Sequence, residues 1–400
     1  MYVNLKLNFT FAYMIQRQLF AVVNKLIKKY PIVAITGPRQ SGKSTFLKNS
    51  FPTYEYVSLE SMDNREFAAK DPRGFLARYP SKTIIDEAQQ VPSLFSYLQS
   101  HVDETNKSGQ YILSGSQNFL LLHNISQSLA GRVALFKLLP FSLQELQNTK
   151  WYPKTTEEFL FKGMYPRLYD KKLAETQYYA DYIETFVERD VRQLANIGDL
   201  GKFRTFLKLC AGRIGQVLNM HSLANDVGIS APTVKNWLSI LESSYILFQL
   251  RPYHNNFNKR LIKSTKIYFY DTGLACNLLN LKRKEQLHEH YLKGGLFENA
   301  LLLELMKTMY NKGEKPEFYY WRESNGKEID LLIEDGLKLH RLEMKYSNTF
   351  DSSFMQNINI FNAQEKMPKG NNYLLLGDHP YQKRSDIEIV GWKELEKIKL

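Results

Sequence analysis

Short, mostly apolar runs alternate with amphipathic or charged segments between residues 15 and 140. The runs have the length of buried strands. They lie at residues 32–35, 54–59, 83–86, 111–114 and 133–138. The amphipathic segment 15–29 predicts a helix, and a second helix is predicted near 91–103. Strand and helix signals in alternation predict a parallel sheet with right-handed crossovers, which is the α/β class.

A helix-turn-helix pattern follows a largely helical stretch. Ser222–Val227 and Ala231–Leu241 predict two short helices around a turn at Gly228, and Ser230 is placed to cap the second helix. On that helix we expect four exposed polar side chains. They are Thr233, Lys235, Asn236 and Ser239.

Two strand patterns, Tyr245–Arg251 and Lys266–Asp271, complete a winged helix, with the basic segment 255–263 between them. Positive charge lies where such a domain meets a phosphate backbone. Winged helices in ATPases also act as lids or docking modules, and the predicted recognition helix has no arginine to read guanine edges. Both DNA contact and protein docking therefore remain open.

From residue 291 the pattern predicts an α+β domain. An apolar helix through Met309 precedes a strand at 318–322, and the chain closes with strands at 372–376 and 387–392. Between these elements, the runs 328–334 and 337–345 predict a hairpin.

The hairpin brings acids together. Asp335-Gly336 between the two runs is a strong signal for a two-residue turn. Such a turn pairs Asp330 with Arg341 and Glu328 with Glu343. Asp330, Glu343 and Lys345 then share one face of the hairpin.

Length and charge fit several domains. Four hundred residues exceed one ordinary core, and we place domains at residues 1–150, 151–290 and 291–400. The net charge of +12 comes from 53 Lys and Arg against 41 Asp and Glu, and the positive excess is densest between 201 and 290. A basic block can bind nucleic acid or acidic lipid, and it is also typical of a solvated surface.

Cysteine usage and the first residues indicate the compartment. Cys210 and Cys276 are too few for a disulfide framework or a zinc site, which favours a reducing environment. Polar and charged residues interrupt the first 20 residues, so we expect neither a signal peptide nor a membrane span there. The expected location is cytoplasmic, with no membrane partner.

A phosphate-binding loop directly follows the first apolar run. Its candidate nucleotide-binding residues are Gly37, Pro38, Arg39, Gln40, Ser41, Gly42, Lys43, Ser44 and Thr45. The glycines permit a tight backbone path, and the N–H groups at the following helix start point at an anion. Lys43 can reach the β- and γ-phosphates, and the Ser44 hydroxyl can bind Mg²⁺. The predicted cofactors are therefore ATP and Mg²⁺.

Two acids end the strand at 83–86. Asp86 is placed to hold the magnesium ion, directly or through water, and Glu87 to orient and deprotonate the attacking water. A catalytic acid beside the magnesium acid favours hydrolysis over transfer to a second substrate. The pattern therefore predicts an ATPase.

Two further residues are candidates for the same site. Ser116, or Ser114 beside it, follows the fourth strand, where a polar side chain can contact the γ-phosphate or the water; a helix cap is the alternative. Arg132 follows Gly131 and can stabilise transition-state charge, in its own subunit or in a neighbour's. A surface arginine is the alternative there.

These motifs resemble the AAA-type ATPases of bacteria and archaea that carry a C-terminal domain of unknown function. The similarity rests on the phosphate loop, Ile85-Asp86-Glu87-Ala88-Gln89, Ser114-Gly115-Ser116, Ala130-Gly131-Arg132 and Leu139-Pro140-Phe141, in this order. It covers nearly the whole chain and implies an AAA+ fold with ATP as the nucleotide. It supplies no substrate.

The C-terminal acids resemble a second group. Glu298 on a helix, Asp330, and Glu343 with Lys345 are similar to the restriction-endonuclease-like superfamily. That resemblance implies that the acids bind Mg²⁺ and that the lysine assists the attacking water. A charged hairpin face, with Lys345 neutralising Glu343, is the alternative.

The sequence thus predicts an ATP-hydrolysing AAA+ protein that acts on, or is regulated by, duplex DNA. An ATP-gated docking module with a protein partner and little turnover is one alternative. A Mg²⁺-dependent, ATP-dependent nuclease is the other. A homo-oligomer is a further candidate assembly.

Overall fold

A computed structural model of the chain describes residues 15–116, 121, 125, 127–186, 197, 199–253, 264–363, 368 and 370–399. The basic segment 255–263 lies outside these residues. Across the part of the chain that is described, no helix combines the length and apolar character that a membrane crossing needs.

The first domain is a parallel sheet between helices, as predicted. Its strands are β1 (Ile32–Thr36), β2 (Glu55–Ser58), β3 (Thr83–Asp86), β4 (Tyr111–Gly115) and β5 (Val133–Lys137). They lie in the order β2-β3-β4-β1-β5, and every pairing is parallel. All residues of β1, β3 and β4 are buried because helices cover both faces.

Among the residues described here, five helices accompany these strands. They are α1 (Phe20–Leu26), α2 (Lys43–Ser50), α3 (Met62–Lys70), α4 (Pro72–Arg78) and α5 (Leu94–Thr105). Helix α1 is shorter than the predicted 15–29. The backbone before α1 makes a tertiary hydrogen bond, since the N–H of Gln18 donates to Glu145 at 3.0 Å.

The middle of the chain is helical. It contains α6 (Leu143–Leu146), α7 (Thr156–Lys162), α8 (Pro166–Lys171), α9 (Glu175–Phe186), α10 (Leu200–Ala211), α11 (Met220–Val227), α12 (Ala231–Ser243) and α13 (Thr272–Leu278). Helices α11 and α12 form the predicted helix-turn-helix. Gly228 adopts a left-handed conformation at the end of α11, and the Ser230 hydroxyl accepts from the N–H of Thr233 to cap α12.

A mixed sheet joins strands from the middle and the end of the chain. Its strands are β6 (Leu247–Pro252), β7 (Lys266–Phe269), β8 (Phe318–Arg322), β9 (Glu328–Asp335), β10 (Lys338–Lys345), β11 (Asn372–Leu376), β12 (Gln382–Lys383) and β13 (Glu388–Gly391). The order is β12-β13-β11-β10-β9-β8-β6-β7. The two strands predicted as a wing are antiparallel to each other, and they also extend this sheet across the boundary expected at residue 290.

The hairpin register differs from the prediction by two residues. Glu334 pairs with Leu339, and Asp335 pairs with Lys338, so the turn residues are Gly336 and Leu337. Gly336 supplies the positive φ, +59°, at the first turn position instead of the second. Continuing this register places Asp330 opposite Glu343. The two acids still share a face because the shift is even.

Helix α14 (Lys293–Lys312) joins the domains, and α15 (Gln356–Asn362) covers the last sheet. Oε2 of Glu304 accepts from the N–H of Leu143 at 2.6 Å. Lys307 donates to the carbonyl of Phe141 at 2.8 Å and pairs with Glu304. These contacts satisfy backbone groups at the start of α6. Helix α14 therefore fixes the segment that connects the first domain to α6.

Candidate nucleotide site

The phosphate loop needs glycine at both of its ends. A side-chain carbon added at Gly37 would overlap the carbonyl oxygen of Leu138, which leaves strand β5. Gly42 adopts φ +89° immediately before α2, a conformation that side chains disfavour. The loop therefore wraps closely around the start of α2, with the helix N-terminus facing its interior.

Lys43 points into the loop. Its side chain is buried, and its Nζ donates to the carbonyls of Gly37 at 2.9 Å and Pro38 at 2.8 Å. Burial lowers the pKa of Lys43 to about 8, although Glu87 and Asp86 act in the opposite direction. Phosphate oxygens could replace these two neutral acceptors and provide the ammonium with a negative partner.

Asp86 is the acceptor at the centre of the site. Its Oδ2 accepts from Ser44 at 2.7 Å and from Tyr56 at 2.5 Å, and its Oδ1 accepts from Ser114. Burial raises the pKa of Asp86, but these hydrogen bonds and the charge of Lys43 outweigh burial and hold it below its ordinary value. Asp86 therefore stays a carboxylate beside the Ser44 hydroxyl, a donor set suited to Mg²⁺.

Glu87 follows in a strained position. Its φ of +53° is uncommon for a residue with a side chain and turns the carboxylate toward the end of β4. There Oε2 accepts from Gln89 at 2.5 Å and from the Ser116 hydroxyl at 3.0 Å. The structure thus brings Ser116 and Glu87 together.

Sequence patterns missed the residue that supports the loop. The guanidinium of Arg17 donates to the carbonyls of Ser41 at 2.9 Å and Leu139 at 2.5 Å, and it pairs with Glu145 at 3.0 Å. Arg17 is buried. It lay within the predicted helix 15–29 and outside any motif, so only the tertiary contacts identify it.

The middle domain contacts the loop from the other side. The Tyr245 hydroxyl donates to Oγ1 of Thr36, the last residue of β1, at 2.8 Å. A side-chain carbon added at Gly42 would lie 3.6 Å from Cγ of Pro166, which begins α8. The nucleotide site is therefore formed where the first two domains meet.

The remaining candidate residues of the loop lie where they were expected. Ser41 is buried, Arg39 is half-buried, and Gln40 and Thr45 are exposed. The Oγ of Ser41 has no hydrogen-bond partner among the described residues.

Arg132 is not brought to the site. It precedes β5 at the amino end of the sheet, whereas the phosphate loop follows the carboxyl end of β1. Its guanidinium makes two hydrogen bonds to Asp103, at 2.6 and 2.8 Å. The five residues of β5 span four steps of about 3.3 Å, so the two ends of the sheet lie about 13 Å apart. A role for Arg132 within its own subunit is therefore not supported.

The C-terminal acids do not fit the Mg²⁺ that the nuclease-like resemblance implies. Lys345 Nζ lies 2.8 Å from Glu343 and 3.4 Å from Asp330, while Glu298 contacts Lys266 at 3.0 Å. Burial raises the pKa of Glu298, and it also raises that of Glu343, where Asp330 adds to the rise. In the ranges the structure covers, no group of three or more His, Cys, Asp or Glu side chains is arranged to hold a metal.

The lowered pKa of Lys43 gives a pH prediction. Because the free protein loses the ammonium proton above about pH 8, ATP affinity should fall as pH rises further, by up to about tenfold per pH unit. Lys43→Arg keeps its charge and should remove this dependence. Equilibrium ATP binding should be measured for both proteins between pH 7 and 10. An ATP affinity of the parent chain that does not change with pH would contradict the assignment of Lys43 as the phosphate-binding lysine.

Three family models match successive parts of the chain. They are an AAA domain at residues 29–147 and two domains of unknown function, DUF8612 at 153–285 and DUF4143 at 293–395.

Individual relatives are distant. An uncharacterized protein of Mycobacterium tuberculosis is 29% identical over 338 residues, which cover 84% of this chain and 74% of that protein. One of Haemophilus influenzae is 22% identical over 313 residues, which cover 70% and 75%. The solved Walker-type ATPase of Pyrococcus abyssi is 15% identical, with a TM-score of 0.43 over 65% of this chain and 94% of that chain. Together with the loop geometry, the family matches support a P-loop ATPase domain of the AAA type that is followed by a C-terminal domain of unknown function.

Proposed function

We propose that this protein hydrolyses Mg²⁺-ATP and that duplex DNA, contacted by the helix-turn-helix, controls turnover. The observation that carries the first part is the position of Glu87. Its carboxylate accepts a hydrogen bond from Ser116 beside Asp86. Both acids favour the charged form of Lys43 and so oppose the lowering of its pKa by burial. A base, a metal-binding acid and a phosphate-binding lysine are thus gathered at one sheet edge.

Each residue has a separate role in the proposed reaction. Lys43 exchanges the carbonyls of the loop for the β- and γ-phosphate oxygens of ATP. Ser44 and Asp86 would hold the magnesium ion, which would neutralise charge on the phosphates. Glu87 accepts the proton of the attacking water, and the Ser116 hydroxyl keeps that carboxylate in place.

Two substitutions separate binding from hydrolysis. Lys43→Ala should abolish ATP binding. Glu87→Gln should preserve binding and lower turnover about 100-fold or more, since a positioned base typically contributes that much. Glu104→Gln, the same change on an exposed part of α5, is the control. ATP binding and phosphate release are the measurements, and parental turnover in Glu87→Gln would show that another group is the base.

The DNA part rests on the surface of helix α12. Lys235, Asn236 and Ser239 are exposed on one side of this helix, as predicted. Thr233 is half-buried because its hydroxyl lies 2.8 Å from Ser230 in the cap. One lysine with polar neighbours suits contact with a phosphate backbone better than base reading.

DNA should therefore stimulate ATP turnover, with an effect that weakens as salt rises. Lys235→Glu should weaken DNA binding and reduce the slope of log affinity against log salt by about 1. Lys107→Glu makes the same charge change at an exposed position of the first domain and should alter neither. Fluorescence anisotropy with duplex DNA at several salt concentrations tests this. Equal losses in both variants would indicate a general charge effect.

A docking module with little turnover is the second candidate. The favouring observation is that Glu87 is already engaged, since Gln89 and Ser116 both donate to its Oε2. A base held this way could stay inactive until a partner protein moves the loop. Slow turnover that is indifferent to DNA would favour this candidate.

Arg132 provides a test of assembly. Because it lies at the far end of its own sheet, Arg132→Ala should change ATP turnover by no more than about twofold, as for other surface substitutions. Mixing this variant with Lys43→Ala protein should then have no effect. A turnover defect that the mixture corrects would instead place Arg132 in a neighbouring subunit's site.

A further inference from the structure

A lysine from the middle of the chain enters the acid cluster of the C-terminal sheet. Lys266 begins strand β7, and its side chain is 1% exposed. Its Nζ lies 3.0 Å from Oε1 of Glu298 on α14 and 2.5 Å from Oε1 of Glu328 on β9. One ammonium therefore bridges two carboxylates from separate elements.

Protein atoms close around Glu298. The Tyr268 hydroxyl donates to Oε1, the oxygen that Lys266 also contacts. On the other side, a carbon added at Gly215 would lie 3.2 Å from Oε2. Mg²⁺ usually keeps several of its waters when a protein binds it. The lysine and the tyrosine take the space that such an ion needs beside Oε1 of Glu298.

The other two acids have their own lysine. Lys345 Nζ lies 2.8 Å from Oε2 of Glu343 and 3.4 Å from Oδ2 of Asp330. The same oxygen of Asp330 accepts from the N–H of Met344 at 2.8 Å. Each pair of carboxylates is thus bridged by an ammonium. Buried carboxylates require such a counter-charge, and here the chain supplies it.

Backbone contacts fix the lysine strand to the same helix. Beside Glu298, the Asn299 side chain accepts from the N–H of Phe269 at 2.6 Å and donates to its carbonyl at 2.8 Å. Helix α14 therefore binds β7 through both charge and hydrogen bonds. The helix-turn-helix is continuous with β6, which pairs with β7.

We propose that this acid cluster is a lysine-bridged joint between the middle and C-terminal domains, in which Lys266 and Lys345 together supply the positive charge that a nuclease-like site takes from Mg²⁺. The joint holds the helix-turn-helix in a fixed orientation to α14. The C-terminal domain takes no part in metal-dependent cleavage of nucleic acid.

Thermal unfolding of the full chain tests the joint. Lys266→Met leaves Glu298 without its cation, while Glu328 keeps its ion pair with Arg322. The substitution should lower Tm by about 5 °C or more. Adding Glu298→Gln to it removes the unpaired charge and should recover at least half of the loss. A parental Tm for Lys266→Met, or losses that simply add in the double variant, would overturn the proposal. If Lys266→Met yields no folded protein, a double variant that folds would support the proposal, and one that does not fold would overturn it.

Cation binding tests the absence of a metal site. Oε1 of Glu343 is buried and has no hydrogen-bond partner among the described residues, so it is where an added cation would bind. In nucleotide-free protein, Mn²⁺ titration followed by electron paramagnetic resonance should be the same for the parent and Asp330→Ala. Plasmid DNA should remain un-nicked with Mg²⁺ or Mn²⁺, with and without ATP. Saturable Mn²⁺ binding or nicking that Asp330→Ala removes would overturn the proposal.

Discussion

The phosphate loop depends on one buried cation behind it, the guanidinium of Arg17. It holds the carbonyls of Ser41 and Leu139, and thus both the loop and the segment leaving β5. Removing one member of a buried ion pair typically costs about 3–5 kcal/mol, because the other charge stays buried. The pairing with Glu145 therefore fixes the segment before α1, the loop and α6 as one unit.

The other domains attach to that same unit. Glu145 also accepts from the backbone of Ser142 in the cap of α6, and one residue later Leu143 donates to Glu304 on α14. Tyr245 reaches Thr36 from the middle domain. The phosphate loop is thus connected by hydrogen bonds to both the middle domain and α14.

The nucleotide site could be predicted because local sequence signals mark it. The buried ion pairs between distant residues could not be predicted. The loop, Asp86 and Glu87 follow strands whose apolar runs are visible in the sequence, so the sheet edge could be assembled in advance. Arg17 pairs with a residue 128 positions away, and Lys266 with one 32 positions away, and neither pairing leaves a periodic pattern. The hairpin register was wrong because Asp-Gly suggested a turn one residue too early, which only the positions of the paired strands could correct.

Two buried lysines show why similar residues produce different sites. Lys43 contacts neutral carbonyls, so burial dominates and lowers its pKa to about 8. Burial acts on Lys266 in the same direction, but Glu298, Asp330 and Glu328 overcome it and raise the pKa of that lysine. An ammonium with weak neutral partners can exchange them for a more negative ligand, such as a triphosphate. An ammonium held by carboxylates already has negative partners and gains nothing by exchanging them. A buried lysine therefore makes the first site able to bind an anionic ligand, whereas in the second site it occupies the acids.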